Sequence, residues 1–385
     1  MTARASGGQT ASLPTVDDVA KLAGVSRQTV SNVLNTPSIV RDATRERVQT
    51  AIDELGYRPH ASARRLRTRS SSTIGIRLDP MSRNGVSGSV LDRYLHALAE
   101  QADARGMRIM LFTAADQAEE IAQYRRLRDG ADVDALVVTA TGYDDPRIAW
   151  LAAERVPFIA FGRPWGREGE DDPARRWVDV DGAAGTRDAA RHLLGRGHER
   201  VGWLGWPAGS GTGDDRRRGW AQAMAERLGT GDAALAALSI EAEEGVAPGR
   251  RAVEQRLAEA GGDPARAGLE ALVCASDSLA LGAMMAVREA GHPRFPVIGF
   301  DNTPVAQAVG LSSVDQRLDE VAAATLELLM GTEGTRVLPS GTASAGPGRR
   351  LVTPKLVVRR SSHLAPIDEE PAAGEDAGAS QRKEH

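Results

Sequence analysis

One cysteine in 385 residues, Cys274, excludes an intramolecular disulfide framework and suits a reducing compartment. It stands in the apolar run LVCAS, which reads as a buried and inert position. No apolar run approaches the roughly 18 to 20 residues of a membrane-spanning helix. The opening MTARASGGQTASLP has no apolar stretch of the kind a secretory signal carries. The expectation is a cytoplasmic protein with no membrane partner. Catalytic vocabulary is sparse as well. There are seven histidines, and no CxxC, HExxH, GxSxG or Walker sequence; the SGTG stretch lacks the lysine of a phosphate-cradling loop. These absences predict no enzyme, no catalytic residue, no metal and no cofactor.

The chain is long enough for two or three domains, and its 41% apolar content can build real cores. Its net charge of −4 conceals an asymmetry. Residues 1–73 hold eleven basic against six acidic side chains, a balance of +5, which leaves −9 for residues 74–385. A positive head on a negative body suits a polyanionic partner at one end only.

The head contains TVDDVAKLAGVSRQTVSNVLN, residues 15–35. Thr15 with Asp18 three residues on has the form of a capping box. Val16, Val19, Ala20 and Ala23 then recur on one face of a helix. Gly24 permits the left-handed turn that ends it. Ser26 caps a second helix that turns Val30, Val33 and Leu34 inward and leaves Arg27, Gln28, Ser31 and Asn32 on the opposite or N-terminal surface. A helix-turn-helix lays its second helix in the DNA major groove, where Arg reads guanine and Gln or Asn reads adenine through paired hydrogen bonds. A loop, TPSIV, and a helix from about Asp42 to Leu55, stopped by Gly56, complete the unit.

The words VAKLAGVS, TVSNVLN, ATRERV, ELGYRP and ASARRL, spread over residues 15–76, closely resemble the headpiece, hinge and first core strand of LacI/GalR-family transcriptional regulators. The resemblance implies base reading by Arg27, Gln28, Ser31 and Asn32, and backbone contacts from Thr15, Ser26, Thr29 and Arg45. It also implies a hinge helix that enters the minor groove with Ala63, Arg64 and the wedge Leu66, paired with that of a second subunit. Pro59–Arg67 is shorter than the roughly 12 to 15 residues an isolated helix needs, so the hinge is expected to order only when docked. Asn32 departs from the family, which often carries Arg there.

From Thr73 onward, apolar runs (TIGIRL, RIMLF, DALVVTA, PFIAFG, WVDVD, then VGWLGW, ALVCAS, PVIGFD, LVTPKLVV) alternate with amphipathic helical segments. Such alternation implies parallel sheets covered by helices, with ligand in the crevice at the carboxyl ends of the strands. The fold class expected is an all-α helix-turn-helix headpiece followed by a two-lobed α/β core of doubly wound parallel sheets, similar to periplasmic binding proteins. In that fold the chain crosses between the lobes three times. The boundaries read as a disordered start at 1–14, a headpiece at 15–57, a hinge at 58–72, a core at 73–362 and a disordered tail at 363–385.

Strand ends carry the candidate effector residues: Arg163 and Trp165, Asp181, Trp206, Arg216 and Trp220, Ser276 and Asp277, and Asp301. The resemblance places Arg216 at the family's effector-clamping arginine and Asp181 and Asp301 at cleft positions. One or two of Trp165, Trp206 and Trp220 are expected as stacking plates, whereas Trp150, Trp177 and Trp203 read as core. Ser276 stands where the family often has Asn. The partners expected are operator DNA, a small-molecule effector read as a sugar or glycoside, and a second copy of the chain. A nucleobase or nucleoside effector is the alternative within regulators; an exported sugar-binding protein is the alternative outside them. A C-terminal leucine-heptad helix can hold tetramers in this family. Here only Leu364 and Ile367 are large apolar groups after His363, with Pro366 and Pro371 interrupting, so a dimer is expected.

Overall fold

The computed structural model describes residues 14–57, 70–78, 88–166, 175–229, 231–331, 334, 336–338 and 348–363. The expected hinge residues Ala63, Arg64 and Leu66, the start of the chain to residue 13 and the tail from residue 364 lie outside the described residues. The chain divides into two compact units between Ser71 and Ser72.

The first unit is a three-helix headpiece: α1 Val16–Ala23, α2 Arg27–Asn35 and α3 Asp42–Leu55. Thr15 caps α1 in a reciprocal capping box with Asp18, whose carboxylate is held low by the two hydrogen bonds from Thr15. Gly24 takes φ 64°, a left-handed conformation that would strain a residue with a Cβ, and so turns the chain toward α2, whose N-cap is Ser26. Val19, Ala20, Ala23, Val30, Val33, Val48, Ala51, Ile52 and Tyr57 form the small core, with Val16 and Leu34 packed on it. The apolar periodicity therefore reports the buried faces of both helices correctly.

The second unit holds, among the described residues, two six-stranded sheets. The first has the order β11-β5-β4-β3-β1-β2, with β1 Thr73–Arg77, β2 Arg108–Phe112, β3 Ala135–Val138, β4 Phe158–Phe161, β5 Trp177–Val180 and β11 Arg349–Val352, all parallel. The second has the order β12-β10-β9-β8-β6-β7, with β6 Val201–Gly205, β7 Ser239–Glu241, β8 Ala271–Cys274, β9 Val297–Phe300, β10 Ser312–Asp315 and β12 Lys355–Val357. Only the β10–β12 pairing is antiparallel among these. Central strands such as β3 (ALVV) and β8 (ALVC) are buried throughout, which requires helices on both faces and explains their unbroken apolar runs.

Three crossings join the lobes: after β5, after β10, and between β11 and β12. The run LVTPKLVV is therefore two strands in different sheets, not the single strand its apolar pattern suggests, because Thr353-Pro354 carries the chain across between them. Strands β7 and β10 escaped the sequence reading: β7 is three residues long, and β10 (SSVD) is polar in composition although its serines are buried. The helix Gly211–Leu228 starts well before the RGWAQAMAERLG segment, so GTGDDRRR forms its first turns. It packs tightly on the helix Gly182–Leu194 because Gly219 has no side chain; a Cβ there would collide with the carbonyl of Ala183. No helix among the described residues is long and apolar enough to cross a membrane.

Candidate nucleic-acid interface and ligand cleft

The predicted base readers lie together on α2. Arg27 and Gln28 are exposed, and Ser31 and Asn32 half-exposed, while Val30 and Val33 face the core. Ser26 accepts the Thr29 amide at 3.1 Å and exchanges a hydrogen bond with the Thr29 hydroxyl, which fixes two hydroxyls at the helix start. The Gln28 side chain donates to the Asn32 side-chain oxygen at 3.0 Å, so the two amides form one preset unit one helical turn deep. Arg27 pairs with Asp17 at 2.9 Å, with 72% and 49% of the two side chains exposed. Such an exposed pair is worth at most about 1 kcal/mol and leaves the guanidinium available to a base edge. Arg45 pairs with Asp42 at 2.8 Å at the start of α3.

In the core unit, the carboxyl ends of both sheets converge on a cavity of about 240 Å³. One wall is apolar, from Val90, Leu91 and Phe161; the rest includes Thr139, Thr141, Trp165, Asp179, Asp215, Arg216 and Gln316. Arg163, nearly buried, donates through Nε to Asp179 at 2.7 Å and through Nη2 to Asp215 at 3.4 Å. Burial pushes the Asp179 carboxyl up, opposed by Arg163. Asp215 also accepts the Ala183 amide at 3.0 Å. Arg163 thus joins the first lobe to the helix Gly211–Leu228 of the second.

Arg216, the expected clamp, donates to the Ala275 carbonyl at 2.6 Å and stands 3.6 Å from the Asp301 carboxylate. Its guanidinium lies 3.7 Å from the Phe300 ring centroid and 5.5 Å from that of Trp206. Asp301 is buried and sits at φ 112°, a conformation unusual for a side-chain-bearing residue and typical of functional sites. Burial pushes its carboxyl up to about 8; Arg216 pulls it down, and Asp277 and Glu244 add to the rise. Gln316 donates to Asp301 at 2.6 Å.

Several expected effector residues have other tasks. Trp220 is wholly buried, donates its N–H to the Val201 carbonyl at 3.0 Å and stacks on Trp203, so it is core and not a plate. Asp277 is wholly buried and spends both carboxylate oxygens, one on the Ser313 hydroxyl at 2.6 Å and one on the Thr303 amide at 2.7 Å; it braces β10 against the Asp301 turn. Burial raises it to about 6. Asp181 and Ser276 are helix N-caps, accepting Ala184 and Leu279 amides. Trp206 is half-buried; its N–H and the Ser276 hydroxyl both donate to Glu244, at 2.7 and 2.8 Å. As expected, Trp150, Trp177 and Trp203 pack in or against the cores.

Sequence reasoning missed Asp179, Asp215, Glu244 and Gln316. Asp215 adjoins Arg216 and was within reach of the same argument. Glu244 and Gln316 follow β7 and β10, the two strands that the apolar pattern does not mark. A further buried network, Arg147 with Asp145 and Glu120 at 2.6 and 2.9 Å, ties down the Ala140 carbonyl beside the cleft.

Both parts of the chain are similar to known proteins. Residues 15–60 match the family described as bacterial regulatory proteins, lacI family, and residues 190–362 match the periplasmic binding protein-like domain. The chain is 33% identical over 353 residues to the HTH-type transcriptional regulator AglR of Rhizobium meliloti (strain 1021), covering 90% of this chain and 94% of that protein. Its fold resembles the Lac repressor dimer bound to operator and the anti-inducer ONPF, with TM-score 0.74, 25% identity, and coverage of 91% of this chain and 99% of that one. It also resembles the transcriptional regulator CelR in complex with cellobiose, with TM-score 0.60, 26% identity, and coverage of 90% and 99%.

Proposed function

The chain belongs to the lacI family of bacterial regulatory proteins and is a DNA-binding transcriptional regulator, and from that premise we propose a homodimeric repressor released from a pseudopalindromic operator by a small sugar or glycoside. It is not an enzyme. Residues 15–57 serve as the headpiece, 58–72 as the hinge and 73–362 as the effector-binding and dimerising core, and the protein acts in the cytoplasm. Arg27, Gln28, Ser31 and Asn32 read bases; Thr15, Ser26, Thr29 and Arg45 hold the backbone; Ala63, Arg64 and Leu66 enter the minor groove.

The sugar reading rests on one observation about the cleft. Its wall offers carboxylate, guanidinium and amide groups from both lobes beside an apolar face that includes the Phe161 ring. A polyol needs hydroxyl partners in number, of the kind these side chains provide, and an apolar surface for the face of its ring. The bound cellobiose of CelR supports the same reading, and the operator of the Lac repressor dimer supports a dimer on DNA. Thermal-shift screening of mono- and disaccharides beside nucleobases and nucleosides tests it. Stabilisation by a saccharide is expected; stabilisation confined to nucleobases or nucleosides assigns the alternative effector class.

A further inference from the structure

Gly211 opens the helix Gly211–Leu228, with Ser210 as its N-cap. Its φ lies outside the left-handed region, so the backbone does not demand glycine there. Alanine is the better helix former at such a position. What demands glycine is space. A Cβ at residue 211 would fall far inside van der Waals contact of the Trp165 indole. Trp165 comes from the first lobe, on the segment after β4; Gly211 comes from the second. The ring is fixed by shape and by Arg163 above it, because its own N–H is buried without a hydrogen-bond partner among the described residues. Two further contacts join the same two lobes: the Tyr143 hydroxyl, on the segment after β3, donates to Asp214 at 3.1 Å, and Arg163 reaches Asp215.

We propose that Gly211 is the seat on which Trp165 closes the two lobes, a positioning pair that sets how far the cleft shuts, with Tyr143–Asp214 as its hydrogen-bonded flank. Trp165 is then a closure wedge rather than a stacking plate. Its consequence for effector capture rests on the reading of the cleft as an effector site, but the closure itself does not. A side chain at 211 props the lobes apart, and removal of the indole loosens them without propping.

The test is a distance measurement in the full-length protein without ligand. Spin labels go on Ala122→Cys in the first lobe and Arg251→Cys in the second, both exposed; Cys274 is buried and stays unlabelled. Labelled chain is diluted with unlabelled chain so that only distances within one subunit are read. Gly211→Ala is expected to shift the interlobe distance outward. Trp165→Ala is expected to broaden it about the original mean, and the double variant to match Trp165→Ala because the collision has gone. A Gly211→Ala distance equal to that of the parent, an outward shift that persists in the double variant, or a Trp165→Ala distribution as narrow as the parent's overturns the proposal. Should the saccharide screen fail while these distances behave as expected, the effector reading falls and the closure seat stands.

Discussion

At the scale of single residues, the two functional regions use opposite physics. On α2 the proposed readers are exposed or half-exposed, and their mutual contacts are weak enough to exchange for a base. Gln28→Ala should remove one bidentate contact, costing about 1 to 3 kcal/mol of discrimination at one base pair. Competition binding against operators varied at each position reads this; equal weakening on every sequence would mean a phosphate contact instead. In the cleft the charges are buried, and burial raises the Asp179, Asp277 and Asp301 carboxyls. Asp301, raised to about 8, binds a proton in the folded chain over a range where the unfolded chain has released it. Its contribution to stability is therefore greatest in acid and falls as pH rises from the ordinary carboxylate range through about 8. Asp301→Asn should remove that fall, so the difference in melting temperature between pH 6 and pH 9 should be smaller in the variant. An unchanged difference would place the Asp301 carboxylate ionised throughout, held by Arg216.

Elements were legible in the sequence where their causes are local. The Thr15–Asp18 capping box, the Gly24 turn, the Ser26 cap and the Gly56 stop of α3 all depend on residues three or four apart, and each stands where the pattern put it. Thr15→Ala should lower the protection of α1 amides such as that of Val19 against hydrogen exchange, by about 1 kcal/mol, the usual value of a cap; unaltered exchange would mean that packing alone holds the helix. Strands were legible only where burial is two-sided and apolar. β10 buries serines because Asp277 and Ser362 satisfy their hydroxyls, a contact made across the fold and invisible in the SSVD run itself. The same limit applies to the cleft. Arg216 and Asp301, singled out by motif, do stand 3.6 Å apart, but Trp220, close to Arg216 in sequence, points into the core. Glu244 is brought to Trp206 and Ser276 only by the tertiary fold.

For the whole molecule, the proposed function makes the positive head and negative body a division of labour, with DNA at one unit and effector at the other. A protein making about 6 to 10 phosphate contacts loses roughly 10³ to 10⁵ in affinity between about 50 and 200 mM salt. Operator binding by the full-length chain should show that slope in a salt titration, and a flat profile would contradict DNA binding through the basic head. Coupling between the units is a matter of differential affinity: the effector must bind the closed arrangement of lobes and the DNA-bound arrangement with different strength, and linkage makes the effect reciprocal. The most direct test is operator binding, by fluorescence anisotropy, with and without a saturating amount of the saccharide that stabilises the protein most. The account predicts a loss of operator affinity in the range of about 5- to 150-fold, matched by an equal loss of saccharide affinity for the operator-bound protein. An operator affinity that the bound saccharide leaves unchanged would contradict it.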